Sequence, residues 1–188
     1  MRIKYNAPTI LTLTFSSVLV LILSSTLLPF LTESWFMVPG KGGFAFSRIQ
    51  NWVTLVTHVI GHANWTHLIA NFSLILLIGP ILEERYGSLP LLEMIFITAL
   101  VTGVLNVLFF STSLLGASGV AFMMILLASF TNFKKGEIPL TFILIMVLYL
   151  GRELFNSLTE NSISEFAHII GGLCGSVFGF FRTPRTPS

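Results

Sequence analysis

The stretch "LGASGVAF", Leu115–Phe122, sets one serine between small residues at the mouth of a strongly apolar run. Small residues let helices approach closely in lipid, so packing alone would account for it. A chemical account needs partners for Ser118, because a serine hydroxyl is a weak nucleophile until a neighbouring base takes its proton. The choice depends on what the rest of the chain brings to the same depth.

Composition fixes the surroundings. Of the 188 residues, 54% are hydrophobic and 10% are charged, and mean hydropathy is +0.88. A soluble domain would carry about a quarter of its residues charged. The chain therefore reads as one membrane domain, residues 1–181, followed by a short disordered Pro-rich tail, "RTPRTPS", residues 182–188. The net charge of +2 comes without a basic cluster long enough for nucleic acid, and the lone Cys174 excludes an internal disulfide. Arg2 and Lys4 precede an apolar run that is longer than a signal-peptide core and lacks an A-x-A-like cleavage site. It reads as a retained helix.

Six apolar stretches can be marked, at roughly 9–31, 64–82, 89–110, 115–132, 138–157 and 165–181. Most approach the ~20 residues that a spanning helix needs. The expected fold is all-α: a membrane bundle of six transmembrane helices with a long outer loop between helices 1 and 2. That loop, Thr32–Ala63, contains "ESWFMVPGKGGF", in which aromatics sit beside prolines and glycines as they do at a membrane interface. With the N-terminus in the cytoplasm, Arg2, Lys4, Arg85, Lys134, Lys135, Arg182 and Arg185 fall inside, while Lys41, Arg48 and Arg152 fall outside. This follows the positive-inside rule and leaves both termini cytoplasmic.

That orientation groups the polar residues. The second, fourth and sixth spans all run from outside to inside, so His67, Asn71, Ser118 and His168 lie near the outer ends of three helices. Histidine suits the role of base near neutral pH. In "HIIGGLCG", residues 168–175, His168 shares a helix face with Gly171 and Gly175. Gly171, Gly175 and Gly179 form a small-residue ridge that would let this helix press the imidazole against the Ser118 helix. His67 and Asn71 are spaced i, i+4 and point the same way. Asn and His side chains can stabilise an oxyanion, and the N–H of Ser118, unused at its helix start, could add a donor.

Together these residues resemble the rhomboid intramembrane serine proteases. The G-x-S-G motif is "GASG", Gly116–Gly119; H-x-x-x-N is "HLIAN", His67–Asn71; and A-H-x-x-G-x-x-x-G is "AHIIGGLCG", Ala167–Gly175. The histidines of "THVIGHANWTH" and the "GPILEERYG" segment are also similar to the family, and the resemblance runs over roughly residues 50–181. It implies a Ser118–His168 dyad without an Asp, in a water-filled cavity opening to the outer face. His67 and Asn71 become the oxyanion-hole side chains, and Gly116 permits the tight backbone there. The family cleaves transmembrane protein substrates near their outer membrane boundary, at small residues where the helix is unstable, and it needs no metal or other cofactor. Many members have a tyrosine one turn after the serine, stacked on the imidazole; here that position is Phe122. Many also carry a Trp-Arg pair in the first loop, whereas Trp52 is followed by Val53.

Plainer roles stand beside these. His58, His62 and His67 lack an H-E-x-x-H pattern or a nearby carboxylate, so a metal site is not expected; His58 and His62 are expected to hydrogen-bond within the outer loop. Asn71 could be a simple interhelical donor, and Asn106 either that or a cavity-lining group. Glu83, Glu84 and Arg85 read as a solvated cap at the inner end of the second span. Glu165 reads as a helix N-terminal carboxylate, with Ser162 or Ser164 as cap, and not as a third triad member. Two rival functions remain: a non-catalytic rhomboid-like scaffold binding client transmembrane helices, and a small transporter or channel using the histidines as a proton relay. The compact chain suggests a bacterial plasma membrane. Oligomeric state is not encoded.

Overall fold

The computed structural model of the protein describes residues 4–129 and 163–182, with five positions between them, 140, 143, 144, 147 and 148. Apart from those five positions, the fifth predicted span lies outside the described residues. So do Lys134, Lys135, Arg152, Ser162, the side chains of Ser164 and Glu165, and residues 183–188 of the predicted tail. Among the described residues there are seven helices: α1 Pro8–Thr26, α2 Leu31–Trp35, α3 Ile49–Thr57, α4 Trp65–Tyr86, α5 Ser88–Phe109, α6 Ser118–Ser129 and α7 Ile163–Phe181. The expected all-α class holds for these residues. Three of the helices, α1, α4 and α5, are long and apolar enough to cross a membrane, and α6 and α7 supply shorter apolar segments.

α1 opens with Pro8 at its first turn, where a missing N–H costs nothing. It ends at Thr26, five residues before the predicted end of the first span. Leu27 and Leu28 both donate to the Leu23 carbonyl, at 3.0 and 2.8 Å, and Pro29 follows. A proline disfavours helical backbone at the residue before it, which is why the apolar run outlasts the helix.

The segment read as one long loop contains α2 and α3. α3 is amphipathic, burying Thr54 and Leu55 while Ile49 and Trp52 stay exposed. It lies close on α5: a Cβ at Gly103 would sit 2.5 Å from the Leu55 carbonyl oxygen. Trp52 donates its indole N–H to the Phe46 carbonyl at 3.0 Å and meets the Phe44 and Phe46 rings edge-on at 5.4 and 5.8 Å. This aromatic cluster holds the segment in place without an adjacent arginine. A two-residue antiparallel bridge between Val38 and Leu114, with both N–H···O bonds at 2.9 Å, ties it to the α5–α6 connection.

α4 and α5 are separated by Gly87 alone, whose φ of +91° suits a residue without a Cβ. Near this turn the solvated-cap reading of Glu83 is overturned. Glu83 is buried, at 4% exposure, and its carboxyl oxygens accept the N–H groups of Thr9 at 2.8 Å and Ile10 at 3.1 Å. The first N–H groups of a helix have no intrahelical acceptor, so the end of α4 caps the start of α1. Reading Glu83 with its two charged neighbours concealed this role, because the partner lies more than 70 residues away.

α6 is the central helix. Gly119 to Leu127 are all buried, and a helix apolar on every face belongs inside. α7 packs along it more extensively than any other described helix does. We expect Glu83→Ala to lower unfolding stability in detergent by about 2–4 kcal/mol, since two N–H donors lose their acceptor. A denaturant titration measures this, and Glu84→Ala should shift it far less.

Candidate active site

The end of the bundle at the start of α6 gathers the residues singled out from sequence. The chain reaches α6 through Gly116, whose φ of +108° lies in the region that side chains disfavour. Its N–H is held by the His58 carbonyl at 2.9 Å. Ala121 donates to the Ala117 carbonyl at 2.9 Å, which makes Ser118 the first residue inside the helix. The N–H of Ser118 is therefore outside the helical ladder, and the side chain is half-buried.

α4 brings two polar side chains to the same bend. Asn64 caps it, its Oδ1 accepting the His67 N–H at 2.9 Å. A Cβ at Gly116 would sit 2.6 Å from both Cε1 and Nε2 of His67 and 3.4 Å from Nδ2 of Asn71. Only glycine leaves room for both groups to close on this backbone. Asn71 is buried, and its amide nitrogen lies 3.1 Å from Nε2 of His62.

α7 brings the second histidine. Its glycines face α6 directly: a Cβ at Gly171 would overlap the Gly119 carbonyl, and one at Gly175 the Met123 carbonyl. Gly119 returns the contact, with its Cβ position 3.1 Å from the Ala167 carbonyl oxygen. On this seam the His168 ring stacks on Phe122, centroids 4.1 Å apart and planes 7° from parallel. Phe122 is one turn below Ser118, so the stack holds the imidazole beside the first turn of α6.

His58 and His62, in the connection between α3 and α4, are both buried. His58 Nε2 lies 3.1 Å from the Ala99 carbonyl, and His62 Nδ1 lies 3.1 Å from the Ile60 carbonyl. Burial holds the pKa of each down at about 4, against the opposite pull of those carbonyls. Asn106, also buried, donates to the Thr112 carbonyl at 3.1 Å and so steadies the connection leading to Ser118. Among the described residues no three His, Cys, Asp or Glu side chains gather as metal ligands would.

Comparison with known proteins bears on the whole arrangement. The sequence pattern of the Rhomboid domain family matches residues 50–185. The chain belongs to the rhomboid family. It is therefore an integral membrane protein, as its apolar helices require. It is also similar to "Rhomboid protease GlpG" of Haemophilus influenzae, 22% identical over 128 residues that cover 66% of this chain and 67% of the relative.

Most site residues were visible in the rhomboid-like motifs. Asn64 was not, although an Asn immediately before the start of a helix is an N-cap signal. The His62–Asn71 bond has no sequence signal, since nine residues across a helix start do not specify contact. Replacing Gly171 by Val should separate α6 from α7 or force them out of register, at a cost of about 1–3 kcal/mol; loss of thermal stability reports it. The two buried histidines also predict a pH effect. Their ordinary pKa is 6.5 and their folded value about 4. The unfolded chain thus binds protons that the folded one refuses. Stability should be full above pH 6.5 and fall progressively towards pH 4, which thermal unfolding across that range tests.

Proposed function

We propose that this rhomboid is an intramembrane serine endopeptidase acting through a Ser118–His168 dyad. The observation that carries the reading is the meeting of three helices at one bend. The first residue of α6 is a serine, the α7 imidazole is stacked one turn below it, and two side chains of α4 close on the glycine just before it. The protease named among its relatives supports the same reading.

In the proposed reaction Ser118 Oγ attacks a peptide carbonyl and His168 takes the hydroxyl proton. The carbonyl oxygen gains negative charge, which the N–H of Ser118 and the side chains of Asn71 and His67 stabilise. The C–N bond then breaks as His168 returns the proton to the leaving amine. Water, deprotonated by the same imidazole, releases the acyl group from Ser118. Parallel stacking on Phe122 limits the ring to rotations in its own plane, which favours transfer along one line.

The substrates proposed are transmembrane proteins, entering laterally from the bilayer and unwinding locally near the outer membrane boundary. Placement in a bacterial plasma membrane with cytoplasmic termini belongs to the same proposal. The non-catalytic scaffold is disfavoured by the presence of both serine and base, and a midplane proton relay by the clustering of the polar groups at one end of the helices.

Purified protein treated with a fluorophosphonate probe should label on Ser118. Ser118→Ala should abolish labelling, and His168→Ala should reduce it by about 10²–10⁴-fold, the usual worth of a general base. Folded wild-type protein that does not label would overturn the dyad in favour of the scaffold.

A further inference from the structure

One buried contact is left over once the catalytic roles are assigned. His62 is 1% exposed and does not reach α7 in any contact described above; its ring is held between the Ile60 carbonyl and the Asn71 side chain. The His67 ring lies edge-on at 5.0 Å and the Phe72 ring at 5.6 Å, which fixes its plane. Glu33 lines a cavity of about 340 Å³ beside His62.

The hydrogen bonds around the ring follow in a fixed order. A carbonyl oxygen only accepts, so the 3.1 Å contact to Ile60 requires a proton on His62 Nδ1. A neutral imidazole then has a bare lone pair on Nε2. The Asn71 atom 3.1 Å from that lone pair must be a donor, and so it is the amide NH2 and not the carbonyl oxygen. One of its two hydrogens serves His62. The other is available on the side where the same nitrogen approaches Gly116, 3.4 Å from where a Cβ would stand.

We propose that His62 is a positioning residue for the oxyanion site: the Ile60 carbonyl sets its tautomer, and its Nε2 locks the Asn71 amide with NH2 turned towards Gly116. The inference rests on the dyad reading for its catalytic consequence. A flipped amide would set an oxygen where the substrate oxyanion forms, turning a donor into a repulsive acceptor. Asn71 carries no such preference by itself, because its two ends have nearly the same shape. The preference is imposed from the connection between α3 and α4, outside the residues that touch substrate.

Two measurements test this. The first needs no activity: nitrogen NMR of 15N-histidine-labelled protein at pH 7, with His62 assigned by the loss of its signals in His62→Gln. A Nδ1–H, bare-Nε2 pattern is expected; an Nε2–H tautomer or an imidazolium overturns the proposal. The second is the rate of fluorophosphonate labelling of Ser118, in which negative charge builds on the phosphoryl oxygen in the same site as the serine attacks. His62→Met should slow the reaction step by about 10–100-fold, somewhat less than deleting a donor outright, with little change in probe affinity. His62→Gln, whose Oε1 can accept at the same place, should restore most of that rate. In an Asn71→Ala background His62→Met should have almost no further effect. An equal slowing in both backgrounds, or none with Asn71 present, overturns the proposal. Absence of labelling in the wild type would instead overturn the dyad, and the tautomer would still decide whether His62 orients Asn71.

Discussion

Backbone contact between α6 and α7 is the constraint on which the rest of the molecule depends. In lipid no hydrophobic effect drives helices together, so close packing and polar contacts must do it. Gly119, Gly171 and Gly175 remove the side chains that would hold the two helices apart, and carbonyl groups of one helix come to lie where a Cβ of the other would be. Such a seam tolerates little displacement, because any shift that relieves one contact tightens another. His168 and Phe122 ride on it, and their rings stack in parallel across it. A packing device and the proposed chemical site are thus the same set of residues seen from two sides.

Around that pair the remaining elements act as braces. α4 is capped by Asn64 at one end and caps α1 through Glu83 at the other. The α3–α4 connection supplies the carbonyl that holds Gly116 and the two buried histidines that fill the space behind it. The Val38–Leu114 bridge, the Gly103 contact with α3 and the Asn106 bond keep the segment before α6 from moving independently. Preorganisation of this kind is what a hydrolase needs, because donors already aimed at a developing charge require no rearrangement during reaction. It is also what a buried polar network needs to be stable, since an unsatisfied group in a low-dielectric interior is costly.

Buried polar residues also show why the histidines must be treated separately. His58 and His62 are enclosed among backbone carbonyls and stay neutral well below the ordinary histidine range. His168 is half-buried, on the seam between α6 and α7. In the proposed reading one residue type serves as a fixed, neutral hydrogen-bonding group in the first setting and as a mobile proton carrier in the second, and the difference is made by burial.

The residues of this chain determined much of the result by themselves. Hydropathy marks the spans because a lipid interior demands long apolar segments, and α5 is found within a residue of its expected limits. His67 and Asn71 could be paired by their i, i+4 spacing, and Gly116, Ser118 and His168 were named through the rhomboid-like motifs that contain them. What the sequence left open depended on contacts between distant segments. The first helix stops early at Pro29, two further helices lie within the expected loop, Glu83 is buried against the start of α1, and His62 meets Asn71 across a helix cap. Periodicity reports which face of a helix is apolar but not what will cover it. The acceptor that a buried carboxyl or imidazole finds is chosen only when the helices pack.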